Sequence, residues 1–331
     1  FLRPLGLRLL LPENACTIYD VDVPRNISLS QDLKAAFKIR KIIKKEEPEI
    51  VYCHSSMAGA IGRIAAMGLS CKVVYNSHGW AFDMAVSSKK KAFYRLLEKI
   101  LARKTDRIVT ISEYEKRIAI KNKICIEDKI EVILNGIDLE KCRAVKAERA
   151  ALRYKETDFI IGCAARLSEQ KDPLLFAEVA GCVAQKCPDA RFIWVGDGEQ
   201  KENFITALKK NHVFDKTKIT GWVDNPCEYI AAFDVAVLFS KWEGFGLCLA
   251  EYLALGKPVV ATNVGAVSEI IQDGICGKLV EHRDPERIAD EILAYRQCKD
   301  LKDIKQECMR SAEKFDFKIT AQKTVKMIAN L

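Results

Sequence analysis

The sequence predicts an α/β fold made of two doubly wound domains, each with a parallel sheet covered by helices. Three observations lead to this prediction. The 331 residues exceed what one hydrophobic core usually organises. Short apolar runs alternate with amphipathic helical patterns, as in βαβ units with right-handed crossovers. The alternation stops at a polar stretch, 146–157, and then starts again. We therefore expect a first domain over 1–145, a linker over 146–157 and a second domain over 158–315, with a C-terminal helix over 316–331 that packs back on the first domain.

In the first domain, each apolar run is rich in β-branched residues and precedes a helical pattern. Strands are expected at 49–54, 71–78 and 106–112 and within 129–142, and helices at 58–68, at 88–104 and from Glu113 onwards.

The second domain repeats this alternation. Strands are expected at 159–165, 190–196, 218–222, 234–240, 257–262 and 277–280. Helices are expected at 173–186, 200–211, 226–232, 247–256 and 267–274, followed by helical patterns up to Leu331.

Composition excludes several classes of protein. A hydrophobic content of 49% and a charged content of 30% are typical of a folded globular chain. No apolar window reaches the length of a membrane-spanning helix, and the start of the chain lacks a signal-peptide pattern. The 13 cysteines show no CxxC pair and no zinc-type spacing. We expect reduced thiols in a cytosolic protein, with Cys53, Cys163 and Cys248 as small core residues.

The net charge of +8 belongs to the first half of the chain. Residues 1–150 hold 28 Lys and Arg against 18 Asp and Glu, whereas 151–331 hold 25 against 27. In the basic segment 89–104, apolar residues recur at helical spacing: Phe93, Leu96, Leu97, Ile100 and Leu101. The simplest expectation is a surface helix that docks on its own sheet; a compatible one is that its cationic flank meets anionic lipid headgroups. Nucleic acid is the weaker alternative, because no recognition motif accompanies the charge.

Ligands bind at the carboxyl ends of strands in such sheets, so the residues after each strand are candidates for a site in a cleft between the domains. Arg166 follows a predicted strand, and Lys171 lies five positions later, where a helix begins. Two cations beside a helix N-terminus favour a phosphate group. An Arg and a Lys at this spacing are also common on protein surfaces.

A second group follows the strand at 234–240. Glu243 closes a loop in which Gly244 and Gly246 allow the backbone to approach a ligand closely. Glu251 falls near the start of the next helix, where a carboxylate can accept hydrogen bonds from two neighbouring hydroxyls. Taken alone, a carboxylate at a helix start is better explained as a partner of the helix dipole.

Together with their surroundings, these residues form an ordered series that closely resembles the retaining glycosyltransferases of group 1, also called family 4, which have a GT-B fold. The resemblance covers nearly the whole chain. The matching segments are 49–66, 73–82, 108–117 and 132–138 in the first domain and 162–173, 192–199, 221–225, 240–271 and 273–280 in the second.

The resemblance implies a role for each matching residue. Arg166 and Lys171 would hold the donor's diphosphate, Glu243 would face the donor sugar, and Glu251 would bind the two ribose hydroxyls. The base would lie beside Trp222 and Val223. The other donor-binding residues would be Gly196, Gly244, Phe245, Gly246 and Leu247, partly through their backbone N–H groups.

In the first domain, His78 matches the family's active-site histidine near the transferred sugar. The expected catalytic residues are therefore His78, Glu243, Arg166 and Lys171. His54 and Arg25 are expected on the acceptor side. Without the resemblance, a histidine in a turn such as that of His78 is equally well explained as a buried, hydrogen-bonded residue.

Breaking a glycosyl–phosphate bond places negative charge on the diphosphate, so fixed cations there lower the barrier. Because the family has no agreed protein nucleophile, retention is expected to follow a same-face route in which the leaving phosphate helps to deprotonate the acceptor. No metal and no cofactor are expected besides the nucleoside diphosphate sugar, which is a substrate. The DxD spelling at Asp20-Val-Asp22 precedes the matched region.

We therefore expect a cytoplasmic transferase, peripheral on the inner face of the cell membrane, that moves a sugar from a UDP-sugar to a lipid-linked or growing glycan in surface polysaccharide assembly. Its expected partners are a nucleotide sugar, this acceptor and an anionic membrane surface, not nucleic acid. The alternatives are a non-catalytic nucleotide-sugar-binding protein and a basic nucleic-acid-binding protein. Family members begin with a strand, a glycine-rich loop and a helix that have no counterpart before residue 24, so we expect an N-terminally truncated chain.

Overall fold

The computed structural model describes residues 16–23, 28–298 and 300–331, which form two compact α/β units. The first unit consists of the described residues up to Ile111, together with Glu115–Val132 and Met327–Leu331. The second consists of Ser112–Tyr114 and Ile133–Lys326. The domain limits expected from the sequence stay predictions, and Arg25 lies outside the described residues.

The first sheet has four parallel strands in the order β1-β2-β3-β4. The predicted alternation of strands and helices is confirmed here. The elements are α1 (Leu29–Glu46), β1 (Ile50–His54), α2 (Ser56–Ala66), β2 (Lys72–Asn76), α3 (Ser88–Ala102), β3 (Arg107–Thr110), α4 (Glu113–Lys121) and β4 (Ile130–Val132). His54 pairs in register with Asn76, so the carboxyl ends of β1 and β2 lie side by side.

A buried ion pair joins α2 to α3. Arg63 and Glu98 are 2% and 5% exposed, and the Arg63 guanidinium donates to both carboxylate oxygens of Glu98 at 3.1 and 2.9 Å. The Tyr75 hydroxyl also donates to Glu98 at 3.3 Å. Burial raises the pKa of Glu98, and the charge of Arg63 opposes that rise. This pair, which the sequence analysis did not anticipate, fixes the rotation of α3 about its own axis.

The expectation that the apolar residues of α3 dock on the sheet is wrong for three of the five. Leu101 is buried and Leu97 is half-buried, but Phe93, Leu96 and Ile100 are 51%, 59% and 48% exposed. The inward position of Glu98 explains this difference. A helix turns about 100° per residue, so these three side chains lie roughly opposite Glu98.

The second sheet has six parallel strands in the order β10-β9-β8-β5-β6-β7. Its elements confirm the predicted alternation of strands and helices and fall into two groups along the chain. The first group is α5 (Leu139–Ala144), β5 (Phe159–Ala164), α6 (Pro173–Lys186), β6 (Ala190–Val195), α7 (Lys201–Lys210), β7 (Thr217–Ile219) and α8 (Cys227–Ile230). The second group is β8 (Val235–Leu238), α9 (Leu247–Ala254), β9 (Val259–Thr262), α10 (Val267–Ile270), β10 (Gly277–Val280), α11 (Pro285–Arg296), α12 (Leu301–Ala312) and α13 (Phe317–Ala329).

The strand order of this sheet reverses between β5 and β8. Strands β6 and β7 follow on one side of β5, whereas β8, β9 and β10 follow on the other. In open α/β sheets such a reversal leaves a crevice outside the carboxyl ends of the two central strands. The fold therefore favours a ligand site after Ala164 and after Leu238.

The start of α13 is hydrogen-bonded to the segment that follows β4. Ile137 donates its N–H to the carbonyl of Phe315 at 2.8 Å and accepts from the N–H of Phe317 at 2.9 Å. Gly136 makes this approach possible, because a Cβ there would lie 2.4 Å from the Cα of Phe317. The C-terminal helix is thereby attached to residues far from it in sequence.

All 13 cysteines lie within the described residues and are free thiols. Cys53 and Cys163 are buried, as predicted for small core residues, whereas Cys248 is half-buried. Among the described residues, no helix combines the length and the apolar character that crossing a bilayer requires.

Candidate functional site

The candidate site in the second unit lies where the strand order reverses. Arg166 follows the end of β5, and Glu251 lies in α9, which begins shortly after β8. The hydroxyl of Tyr252 accepts a hydrogen bond from the N–H of Ala164 at 2.6 Å. Because Tyr252 is fully buried, this bond fixes α9 against the end of β5 and places Glu251 beside the residues that follow that strand.

A cavity of 170 Å³ opens at this point. Five predicted donor-binding residues line it together: Arg166, Gly196, Trp222, Val223 and Glu251. Trp222 is 77% exposed, so its indole remains available to a ligand. The structure thus brings together residues from distant parts of the sequence.

Gly196 shapes this cavity through its backbone. Its φ is +139°, and a Cβ there would lie 2.2 Å from the carbonyl oxygen of Ala165. It also pairs with Gly221 across an isolated bridge. A side chain at this position would push the loop after β6 away from the end of β5, so glycine is required for the close approach.

Arg166 is held only weakly in the free protein. Its guanidinium lies 2.9 Å from a carboxylate oxygen of Glu199, and the two side chains are 63% and 51% exposed. Exposed pairs of this kind contribute about 0 to 1 kcal/mol. An anionic ligand can therefore replace Glu199 as the partner of Arg166 at little cost.

Lys171 and Glu243 form a largely buried ion pair beside this group. Their side chains are 15% and 7% exposed, and Ser240 donates its hydroxyl to the same carboxylate oxygen of Glu243 at 3.0 Å. Burial is the largest single influence on Lys171 and disfavours its charge, but Glu243, through its charge and its hydrogen bond, and the neighbouring Cys248 and Cys163 together raise the pKa of the lysine. The ammonium therefore stays charged, and its remaining N–H groups can bind an anion. Sequence reasoning named both residues but not their pairing or the role of Ser240.

The loop from Glu243 to Leu247 is fixed by its backbone. The carbonyl of Glu243 accepts from the N–H of Ala266 at 3.1 Å, and a Cβ on Gly265 would lie 1.8 Å from that oxygen. Gly246 adopts φ +82° directly before α9. The first N–H groups of a helix have no partner within the helix, so the start of α9 can donate to a polar ligand.

Phe245 and Leu247, which are both predicted donor-binding residues of this loop, differ in exposure. Phe245 is buried and packs edge-to-face on Phe315, with ring centroids 5.6 Å apart. Leu247 is 44% exposed. The side chain of Phe245 therefore anchors the loop and leaves only its backbone for ligand contact.

Cys248 lies among the charged residues of the site. Lys171, Glu243 and Glu251 are its charged neighbours, and burial of the thiol raises its pKa to about 12. Burial also raises the pKa of Glu251 to about 7. In the free protein, Glu251 is therefore an acid that titrates near neutral pH, beside a thiol that stays neutral.

In the first unit, the two predicted histidines are in direct contact. His54 Nδ1 lies 2.8 Å from His78 Nε2, and the rings stack with centroids 5.2 Å apart. Burial lowers the pKa of both imidazoles, and the charge of His54 lowers that of His78 further. Near neutral pH the pair is therefore neutral, with one ring nitrogen donating to the other.

The turn that carries His78 is built by buried polar residues. His78 has φ +46° and donates its backbone N–H to the side chain of Asn76 at 3.2 Å. Ser77 donates its hydroxyl to the buried carboxylate of Glu115 at 3.1 Å, and Trp80 donates its indole N–H to the Glu115 carbonyl at 3.0 Å. Sequence reasoning missed Glu115, which lies 38 residues beyond Ser77.

Comparison with known proteins gives the same family in both halves of the chain. The family described as Glycosyltransferase Family 4 matches residues 8–141, and the family described as Glycosyl transferases group 1 matches residues 158–297. The Escherichia coli UDP-Gal:alpha-D-GlcNAc-diphosphoundecaprenol alpha-1,3-galactosyltransferase is 33% identical over 297 residues, which is 86% of this chain and 76% of that protein. The capsular polysaccharide biosynthesis glycosyltransferase CapM of Staphylococcus aureus is 28% identical over 283 residues, or 82% and 73% of the two chains.

Solved structures share the fold. Anabaena HepE in complex with UDP and glucose superposes with a TM-score of 0.84 at 20% identity, over 98% of this chain and 89% of that one. Sucrose-phosphate synthase from Thermosynechococcus elongatus gives a TM-score of 0.81 at 15% identity, over 95% and 83% of the two chains. The protein described here is therefore a glycosyltransferase enzyme with a GT-B fold and belongs to the group 1 family, also called family 4.

Proposed function

We propose that the protein transfers a sugar, with retention of configuration and without a metal ion, from a UDP-sugar to a lipid-linked or growing glycan in the assembly of a surface polysaccharide. The names of its relatives support this choice of substrates. The 33% identical relative is named for a UDP-Gal donor and a diphosphoundecaprenol-linked acceptor, and CapM is named for capsular polysaccharide biosynthesis. HepE was solved with UDP and glucose.

The observation that carries the donor assignment is the cavity between Arg166 and Glu251. The Glu251 carboxylate, which lines this cavity, can accept hydrogen bonds from the two ribose hydroxyls. Trp222 and Val223 form the wall against which the base would lie, and Arg166 is available to the diphosphate. Neighbouring hydroxyls, a planar base and an anion are the three parts of a nucleoside diphosphate.

The charges beside the cavity suit departure of the diphosphate. As the bond between the anomeric carbon and the phosphate oxygen breaks, Arg166 and Lys171 would stabilise the negative charge that develops on the leaving UDP. Glu243 holds Lys171 in place and would face the hydroxyls of the donor sugar, together with the N–H groups at 245–247. The acceptor hydroxyl would form its new bond on the face that UDP leaves, and its proton would pass to a phosphate oxygen. This route needs no protein nucleophile.

We assign the histidine pair to the sugar and the acceptor. A neutral His78 can hydrogen-bond a hydroxyl of the transferred sugar without adding positive charge beside an oxocarbenium-like carbon. His54 supports His78 and would line the acceptor side, where the sequence also predicts Arg25. Because a lipid-linked acceptor resides in a membrane, we place the protein in the cytoplasm, on the inner face of the cell membrane.

Release of UDP from a panel of UDP-sugars, in the presence of a lipid extract, tests this function. Arg166→Ala and Glu243→Ala are each expected to lower kcat/KM by about a hundredfold or more. Arg310→Ala, an exposed arginine on α12, serves as the matched control and should leave the rate unchanged. Rates equal to the wild type in both site variants would contradict the proposal, and so would an inverted anomeric configuration in the product. Added chelator should leave the rate unchanged.

A further inference from the structure

We propose that the outer face of α3 is a membrane-docking surface. On this surface Phe93, Leu96 and Ile100 enter the interface of an anionic bilayer, while the cations around them contact lipid headgroups. The inference rests on the proposed membrane location of the acceptor and specifies the part of the chain that makes the contact.

The apolar part of this surface is a continuous stripe. Phe93, Leu96 and Ile100 follow one another at intervals of three and four residues, so they lie on one side of the helix. About half of each side chain is exposed. The buried pair of Arg63 and Glu98 holds the opposite side of α3 against its own unit, so the stripe cannot turn inward without breaking that pair.

Every exposed charged residue within 88–104 is positive. The exposed cations of 88–104 are Lys89, Lys90, Arg103 and Lys104. Glu98 is the one acid in this stretch of sequence, and it is buried against Arg63. Lys89 and Lys90 precede the stripe and Arg103 and Lys104 follow it, so cations lie at both of its ends. An apolar centre between cations is the pattern of a helix that lies in the plane of a bilayer surface.

Charge complementarity favours a bilayer over a second copy of the chain. A symmetric dimer through this face would place the same cations against each other, because a two-fold interface uses the same patch on both subunits. Anionic headgroups neutralise these cations, and the acyl boundary accepts the apolar side chains. A membrane surface therefore provides partners both for the apolar stripe and for the cations at its ends.

Flotation of the full chain with lipid vesicles tests this surface. Vesicles of phosphatidylcholine and phosphatidylglycerol in equal amounts should bind the protein, and vesicles of phosphatidylcholine alone should bind it far more weakly. Replacing Lys89, Lys90 and Arg103 together with Gln should reduce partition about a hundredfold, since each cation contributes about fivefold. Phe93→Ser combined with Leu96→Ser should reduce it by a similar factor, at about tenfold for each side chain.

Matched controls separate this proposal from the proposed function. Val325→Ser removes a comparably exposed apolar side chain from α13 and should leave vesicle binding unchanged. The affinity of every α3 variant for UDP should equal that of the wild type, which also shows that the variants are folded. Wild-type partition that does not depend on phosphatidylglycerol would overturn the docking surface, and so would a dimer in solution that Leu96→Ser dissociates. A wild-type chain that does not bind UDP would instead contradict the proposed function.

Discussion

Replacing Glu251 with Gln is expected to stabilise the free protein while it weakens donor binding. In the folded chain burial raises the pKa of Glu251 to about 7, from an ordinary value of 4.5. Between pH 4.5 and about pH 7, Glu251 is therefore protonated in the folded state and ionised in the unfolded state. This difference lowers the free energy of unfolding by about 3 kcal/mol at pH values where both states are ionised. It has no effect at pH values where both states are protonated. Glutamine keeps the shape of the side chain and never ionises.

Urea melts across a range of pH values measure this effect. At about pH 8 Glu251→Gln should be more stable than the wild type by about 3 kcal/mol, and at about pH 4 the two proteins should be equally stable. Glu178→Gln, which alters an exposed glutamate on α6, should change stability little at either pH. A variant that is less stable than the wild type at the higher pH would refute the reasoning, as would a gain that persists in acid.

The same substitution, Glu251→Gln, should weaken donor binding although it stabilises the fold. The ionised carboxylate of Glu251 should accept hydrogen bonds from the ribose hydroxyls, and at about pH 6 only about one wild-type molecule in eleven is ionised. The affinity of the wild type for UDP, divided by that of the Gln variant, should therefore fall about tenfold between about pH 8 and about pH 6. Calorimetry on both proteins cancels the titration of UDP itself. A constant ratio of the two affinities would show that Glu251 does not bind the ribose.

Three further predictions concern the support of the site. Gly265→Ala should displace the Glu243 carbonyl, since the new Cβ would lie 1.8 Å from that oxygen, and should abolish measurable transfer. The control is Gly274→Ala, which is also at positive φ but has open space around it. This variant should lose only about 1 kcal/mol in the free energy of unfolding and keep the activity. Equal effects of the two would contradict this explanation. Arg63→Met should lower the free energy of unfolding by about 3 to 5 kcal/mol, because it leaves the buried carboxylate of Glu98 without its partner. Adding Glu98→Leu should restore much of that loss. An Arg63→Met variant as stable as the wild type would contradict this explanation. NMR titration of His78 should give a pKa below 6.5, since burial and the neighbouring imidazole both disfavour its charge; a value at or above 6.5 would contradict the geometry.

The sequence predicted the order of elements and the edge of the sheet at which a ligand would bind for one physical reason, whereas the roles of Gly196, Trp222 and Val223 came from the family resemblance. In a parallel sheet, every strand delivers its carboxyl end to the same edge, so residues that follow strands meet whatever their spacing along the chain. Arg166, Gly196 and Trp222 follow three different strands, and Glu251 lies in the first turns of a helix that begins shortly after a fourth. Their convergence therefore required no knowledge of side-chain packing.

The side-chain pairs could not be predicted in this way. Arg63 and Glu98 lie 35 residues apart on two helices, and their contact depends on how each helix is rotated about its axis. The five apolar residues of α3 lie within an arc of roughly 140°, but only Leu101 at the edge of that arc is buried, so the apolar periodicity does not give this rotation. The prediction that Phe93 and Leu96 would be docked failed because a buried carboxylate, rather than the apolar residues, sets the inner face.

The attachment of α13 to Ile137 has a consequence for the order in which the chain can fold. Strand β4 ends at Val132, whereas Phe315, a partner of Ile137, is synthesised about 180 residues after Ile137, roughly 10 to 40 s later at ordinary rates of translation. During that interval the Ile137 amide has no access to its final partners, Phe315 and Phe317. Hydrogen exchange at Ile137 should accordingly stay fast in a chain that ends before Phe315. The hydrogen bonds of Ile137 can therefore form only after strands β5 to β10 have been synthesised.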